Sequence, residues 1–141
     1  MRSVVGSYEL DDDPGRIDSD AAVEFLLTEA YWGRSRDAAV IAAQIREACR
    51  VVGAYDTTGA MVAFARAFGD GACFYLADVY VLRGHRGAGL GKAIVRAMID
   101  DGPAADCRWM LHTRDAHGLY RQFGFAVPDG RYLERPARTP Y

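Results

Sequence analysis

The stretch Val79-Tyr80-Val81-Leu82-Arg83-Gly84-His85-Arg86-Gly87-Ala88-Gly89-Leu90-Gly91-Lys92 constrains this chain more than any other. An apolar, partly β-branched run enters a glycine-rich turn, and the turn opens onto a helical pattern. N–H groups at a helix start have no partner inside the helix, and the macrodipole puts positive potential behind them. Such a start is a ready site for phosphate. Glycines let the backbone approach an anion without Cβ atoms in the way. Arg83, Arg86 and Lys92 add charge nearby. The segment therefore predicts an anion-binding turn between a strand and a helix.

The flanking patterns supply the rest of an α/β chain. Val4 to Leu10 has short strand character and stops at Asp11-Asp12-Asp13-Pro14-Gly15. From the capping residues Asp18-Ser19-Asp20 a helix is expected to about Ala30, with Val23, Leu26, Leu27 and Ala30 on one buried face. Tyr31-Trp32-Gly33-Arg34 interrupts it, and Ser35 is expected to cap a second helix to about Cys49, with Ala38, Ile41, Ile45 and Ala48 aligned. Strands are then expected over Val51–Tyr55, Met61–Phe68 and Ala72–Leu82, with turns at Asp56–Gly59 and Gly69–Gly71. A third helix follows from about Gly89 to Ile99, striped by Leu90, Ala93, Ile94, Ala97 and Met98. Arg108–Thr113 reads as a strand, Asp115–Phe123 as a short helix, Phe125–Leu133 as a last strand, and Arg135–Tyr141 as an irregular tail. There is no repeat or linker, so residues 1–141 are expected to form a single domain. Its order is β-α-α-β-β-β-α-β-α-β around a mixed sheet.

Two common phosphate folds do not fit the loop. A P-loop needs a glycine with four residues between it and Gly91, and Ser or Thr after Lys92, but those positions hold Arg86 and Ala93. A dinucleotide fingerprint would place its third glycine at Lys92, and it would open a βαβ unit rather than follow a run of antiparallel-looking strands. What remains is Arg-x-x-Gly-x-Gly, Arg86 to Gly91, after a strand ending Val-x-Val. One helix and one strand downstream comes Leu119-Tyr120-Arg121-Gln122-Phe123-Gly124-Phe125. The first pattern resembles the coenzyme A loop of the GNAT superfamily of N-acetyltransferases, and the second resembles that family's Leu-Tyr-x-x-x-Gly-Phe segment. With two helices ahead of them, the two motifs span most of the chain.

The resemblance implies a largely antiparallel mixed sheet flanked by helices, with acetyl-CoA as cosubstrate. It implies that Arg86 and the backbone N–H groups of Gly87, Ala88, Gly89, Leu90, Gly91 and Lys92 hold the pyrophosphate. Val79, Tyr80 and Val81, at a splay between the fourth and fifth expected strands, would pair with the pantetheine arm and the acetyl carbonyl. A thioester attacked by an amine develops an oxyanion, which a fixed N–H can stabilise. The attacking amine must also lose a proton, and the leaving thiolate benefits from an acid.

Tyr120 stands where the family places its acid, although a tyrosine packed beside Phe123 gives the same letters. For the base, His112 lies where related enzymes carry a Glu or His that reaches the amine through water. Asp78 interrupts the apolar run Phe74–Val81 and by alternation shares a face with Leu76 and Tyr80. A carboxylate there is either a partnered structural group or a site residue that accepts an ammonium. Tyr75 is a third candidate. His117, three residues before Tyr120, could touch coenzyme A or orient the tyrosine. Thr113–Gly118 departs from the family pattern, which often has an Asn seven residues before the Tyr; here Asp115 stands five before it. Tyr31 and Trp32, next to Arg34 and Arg36, are candidates for the acceptor site or for plain helix-junction packing.

Composition narrows the partners. A net charge of -2 and a pI near 5.9 argue against a general nucleic-acid binder, and equally against acetylation of aminoacyl-tRNA. Cys49, Cys73 and Cys107 form neither a disulfide framework nor a metal pattern. No signal-like N-terminus and no apolar run of roughly 20 residues is present. The expectation is a cytoplasmic enzyme without metal, nucleic-acid or membrane partners. It would acetylate a small-molecule or peptide amine, and a homodimer is admissible. A non-catalytic acetyl-CoA-binding regulatory module is the alternative.

Overall fold

In the computed structural model, which describes residues 1–138, six strands form one sheet in the order of the sequence. Thr139, Pro140 and Tyr141, the end of the expected irregular tail, lie outside the described residues. The N-terminal strand differs from expectation. Gly6, at φ 59°, turns the chain between β1 (Arg2–Val5) and β2 (Tyr8–Asp11), so one expected strand is a hairpin with Val5 opposite Tyr8. β3 (Arg50–Tyr55), β4 (Met61–Gly69) and β5 (Cys73–Val81) continue the antiparallel order, and β6 (Arg108–Met110) lies parallel to β5.

α1 (Ser19–Thr28) begins where the Asp18 carboxylate accepts from Ala21 N–H at 3.0 Å. It buries Ala22, Phe25 and Leu26, while Val23 and Leu27 are only half-buried. Phe25 stacks on Tyr80 with ring centroids 4.0 Å apart. α2 (Ala38–Arg46) is capped by Asp37, whose carboxylate accepts from Val40 N–H at 2.8 Å; Ser35 does not cap it, and Ala38 is exposed. α3 (Leu90–Met98) follows the expected stripe. Fully burying side chains such as Leu90, Ile94 and Met98 stabilises the fold by about 1.5–3 kcal/mol each.

The helices divide the core into two layers. α1 and α2 cover one face of the sheet through Phe25, Leu26, Ile41, Ile45, Phe64 and Tyr80. α3 covers the other through Leu76, Leu90, Ile94 and Met98. α4 (His117–Arg121) and β6 are both shorter than expected. The last expected strand does not form, because Pro128 cannot donate and Asp129 accepts from Arg131 N–H at 2.9 Å in a local turn. Val127 and Leu133 are 86% and 90% exposed. The mixed, largely antiparallel sheet flanked by helices therefore stands, with one strand more at its start and one fewer at its end. No helix among the described residues is long and apolar enough to cross a membrane.

One irregularity positions everything that follows. Arg66 pairs with Ala77 and Phe64 with Tyr80, so Asp78 and Val79 together oppose Ala65. Asp78 takes φ 53°, a left-handed conformation that non-glycine residues rarely adopt. This bulge bends β5, and pairing with β6 runs only from Cys73 to Tyr75. Beyond Tyr75 the two strands part. The bulge also breaks the expected alternation: Leu76 faces α3, whereas Asp78 meets side chains from the α1–α2 side together with Tyr80.

Candidate active site

The free edge of β5 leads directly into the glycine-rich loop. Leu82 N–H donates to Val62 C=O at 2.8 Å, in step with the Phe64–Tyr80 pair. In an antiparallel ladder the intervening residues then turn their polar groups the other way. Val79 and Val81 thus present theirs to the gap, and Val81 C=O accepts Arg86 Nε there at 2.9 Å. Tyr80 does not; its ring lies in the core between Phe25 and Phe64.

A 3-10 turn over Arg83–His85 follows. Gly87 and Gly89 have φ 85° and 79°, and α3 makes its first hydrogen bond from Ala93 N–H to Gly89 C=O at 3.0 Å. The N–H groups from Gly87 to Lys92 donate to no acceptor among the described residues. A Cβ on either glycine would meet nothing within 4 Å, so the space before these groups is open. The left-handed φ, rather than crowding, demands glycine at both places. Free N–H groups at the start of a nine-residue helix, with Arg83 and Lys92 exposed beside them, fit a pyrophosphate.

Where β5 and β6 part, a cleft of about 560 Å³ opens, walled by Tyr31, Trp32, Arg66, Leu111, His112 and Tyr120 among others. Tyr120 is buried, its ring edge against Phe125 with centroids 5.7 Å apart. Burial above all, with smaller contributions from Tyr31 and Asp115, pushes its phenol up to about 12. It keeps its proton through neutral pH.

His112 lies two residues past the end of β6 and is largely exposed. Its Nε2 is 2.8 Å from a Glu134 carboxylate oxygen and its Nδ1 is 2.5 Å from the Tyr75 hydroxyl. An ionised carboxylate only accepts, so Nε2 carries the proton and Nδ1 accepts from Tyr75. The three side chains form a Glu–His–Tyr chain ending at a phenol on the cleft wall.

The opposite wall is built around Asp78. Its carboxylate receives Arg36 Nη2 at 2.8 Å, Arg36 Nη1 at 3.0 Å, Arg66 Nε at 2.6 Å and Trp32 Nε1 at 3.1 Å. Burial works against the charge, but the Arg36 hydrogen bonds and the Arg66 and Arg36 charges outweigh it, so the carboxyl stays below its ordinary value of 3.8. Tyr31 meets Trp32 edge-on at 5.0 Å, and the Arg114 guanidinium lies 4.0 Å over the Tyr31 ring. Gly33 lets this junction fold onto α1; a Cβ there would come within 1.9 Å of the Leu26 carbonyl oxygen.

The structure thus brings Tyr31, Trp32, Tyr75, Asp78, Val79, His112 and Tyr120 to one cleft, with the Arg86–Lys92 loop at the far end of the same strand edge. His117 lines a different cavity, about 760 Å³, formed by β6, α4 and residues 125–134. Sequence reasoning missed Gln44, Arg66, Phe68 and Glu134. Arg66 carried a signal, a lone cation inside the apolar run of β4. Glu134 carried none, since it lies 22 residues beyond His112, past α4 and in chain without a regular pattern.

Comparison with known proteins identifies the family. The Acetyltransferase (GNAT) family matches residues 16–125, and the chain belongs to that family, whose members use acetyl-CoA as cosubstrate. A protein of Xanthomonas campestris pv. campestris assigned to the GNAT acetyltransferases is 30% identical with TM-score 0.85, over 95% of this chain and 96% of that one. The GNAT family protein of Streptococcus pneumoniae is 18% identical with TM-score 0.70, over 94% and 99%. Glucosamine-6-phosphate N-acetyltransferase of Arabidopsis thaliana is 14% identical with TM-score 0.64, over 92% and 99%. The last two share the fold. No curated protein matches the chain in sequence.

Proposed function

We propose that this acyltransferase moves the acetyl group of acetyl-CoA onto a primary amine of a small molecule or peptide, by direct attack on the thioester. One observation carries the reading: the unpartnered N–H row of Gly87–Lys92 is continuous with a free strand edge that ends beside Tyr120. The pyrophosphate lies on the N–H row, the pantetheine arm pairs with Val79 and Val81, and the thioester reaches the splay. The amine attacks the carbonyl carbon, the C–N bond forms, and the C–S bond breaks. The Tyr120 hydroxyl gives its proton to the leaving sulfur. The amine proton passes through the Tyr75 hydroxyl or a water to His112 Nδ1, and Glu134 faces the resulting imidazolium. Asp78 holds Arg36, Arg66 and Trp32 in place; its own lone pairs are taken up by them.

Residues 1–141 act as one domain in this reading, and the free thiols of Cys49, Cys73 and Cys107 suit a reducing compartment such as the cytoplasm. The test is release of free coenzyme A thiol from acetyl-CoA across a panel of primary amines. Amine-dependent release is expected. Tight acetyl-CoA binding without release for any amine would leave the regulatory module as the function.

A further inference from the structure

Resting on that transfer reading, one side chain names the acceptor more closely. Arg66 stands on β4 opposite Ala77, beside the bulge, and only 7% of its side chain is accessible. Nε donates to Asp78, but Nη1 and Nη2 have no acceptor among the described residues, although Arg66 lines the cleft. Asp78 cannot serve them further, since it already accepts from Arg36 twice, from Trp32 and from Arg66 Nε. The buried group of Arg36, Arg66 and Asp78 therefore holds two cations against one anion. Arg114 and Asp115 at the same cleft offset each other in charge. Two cations that share one anion leave positive charge in excess, and a ligand anion in the cleft can both balance it and take up the Arg66 Nη donors. The two Nη groups offer the planar fork that takes a carboxylate or phosphate end-on.

We propose that the acceptor is an amine that also bears an anionic group, a carboxylate or a phosphate, and that Arg66 binds it with both Nη nitrogens. Arg66 and Val79 flank the same bulge, so the anion lies next to the edge assigned to the thioester. The amine and the anion are therefore joined by a short chain, as in an amino acid or an aminoalkyl phosphate.

The experiment compares 3-aminopropanoate, 2-aminoethyl phosphate and propylamine, which lacks the anionic group, as acceptors, following thiol release. One or both acidic amines are expected to exceed propylamine at least tenfold in kcat/KM, and the better of the two distinguishes carboxylate from phosphate. Arg66→Lys keeps a cation against Asp78 but loses the fork. It is expected to raise KM for the acidic amine roughly 10- to 100-fold, the range of a charged hydrogen bond, with acetyl-CoA affinity unchanged. A second measurement needs no turnover: the Arg66 Nε–H resonance of the wild-type protein should move on titration with the preferred acidic amine and not with propylamine. Propylamine turning over as well as the acidic amines, or a resonance that moves with none of the three, overturns the proposal. Acetyl-CoA failing to bind overturns the transfer reading instead, and leaves the resonance experiment to decide on Arg66.

Discussion

The two ends of the cleft are built in opposite ways. The cofactor end is contiguous main chain: six successive N–H groups at the mouth of one helix, made available by two left-handed glycines. The acceptor end is side chains from the α1–α2 junction, β4, β5, the segment after β6, and Glu134 near the end of the described chain. Contiguous backbone sites are robust to most substitutions and visible in the sequence. A site assembled from distant side chains can be retuned one residue at a time, which suits the part that chooses the acceptor.

Substitutions can sharpen that contrast. The largest effect short of losing cofactor binding is expected at Tyr120, where the ends meet. Tyr120→Phe keeps the ring and removes the proton donor, so turnover should fall roughly 10- to 1000-fold while acetyl-CoA affinity holds. Steady-state kinetics with a parallel thermal melt checks this. A melting temperature that drops with unchanged turnover would make Tyr120 a packing residue.

Next comes the Glu–His–Tyr chain. His112→Ala is expected to cost about 10- to 100-fold in kcat, below the strongest base effects because water reaches this exposed site. Glu134→Gln should cost less, about threefold to tenfold in kcat with acetyl-CoA affinity unchanged, because it removes the carboxylate that faces the protonated ring. Equal kcat for the wild type and both variants would mean that the amine arrives already neutral.

Asp78 is expected to matter least to chemistry and most to the wall itself. Its folded carboxyl lies below 3.8, so its stabilisation is complete above that value and is lost as pH falls through the lower folded one. Asp78→Asn should lower stability at pH 7 by up to about 3–5 kcal/mol, and the gap to wild type should close in acid below the ordinary carboxylate value. Denaturant melts at several pH values measure it. A gap that persists in strong acid would assign the loss to shape rather than to charge.

The same contrast explains what was legible in the sequence. Gly87, Gly89 and the run from Leu119 to Phe125 are local patterns, and the fold placed them as local patterns should be placed. Asp78 was visible as a carboxylate in an apolar strand, but its face was not, because a bulge moves it away from Leu76 and no periodicity reports a bulge. Arg66 had the same kind of signal on β4. Glu134 had none, and the strand expected over Phe125–Leu133 fails because Pro128 and the Asp129–Arg131 turn outweigh the apolar letters around them. Gly6 is the converse: a single glycine inside a strand-like run turned out to be the hinge of a hairpin.

The central claim is that the Gly87–Lys92 N–H row holds acetyl-CoA. The direct measurement is the rise in melting temperature on adding acetyl-CoA, for the wild type and for Gly89→Glu, each against its own ligand-free melt. A ligand that binds only the native state stabilises it by about 2.7 kcal/mol at one hundred times its dissociation constant. The variant places a side chain and a negative charge before the N–H row, and the comparison with its own baseline removes the strain of a left-handed glutamate. A clear rise for the wild type and none for Gly89→Glu is expected; equal rises for both would contradict the assignment of this loop.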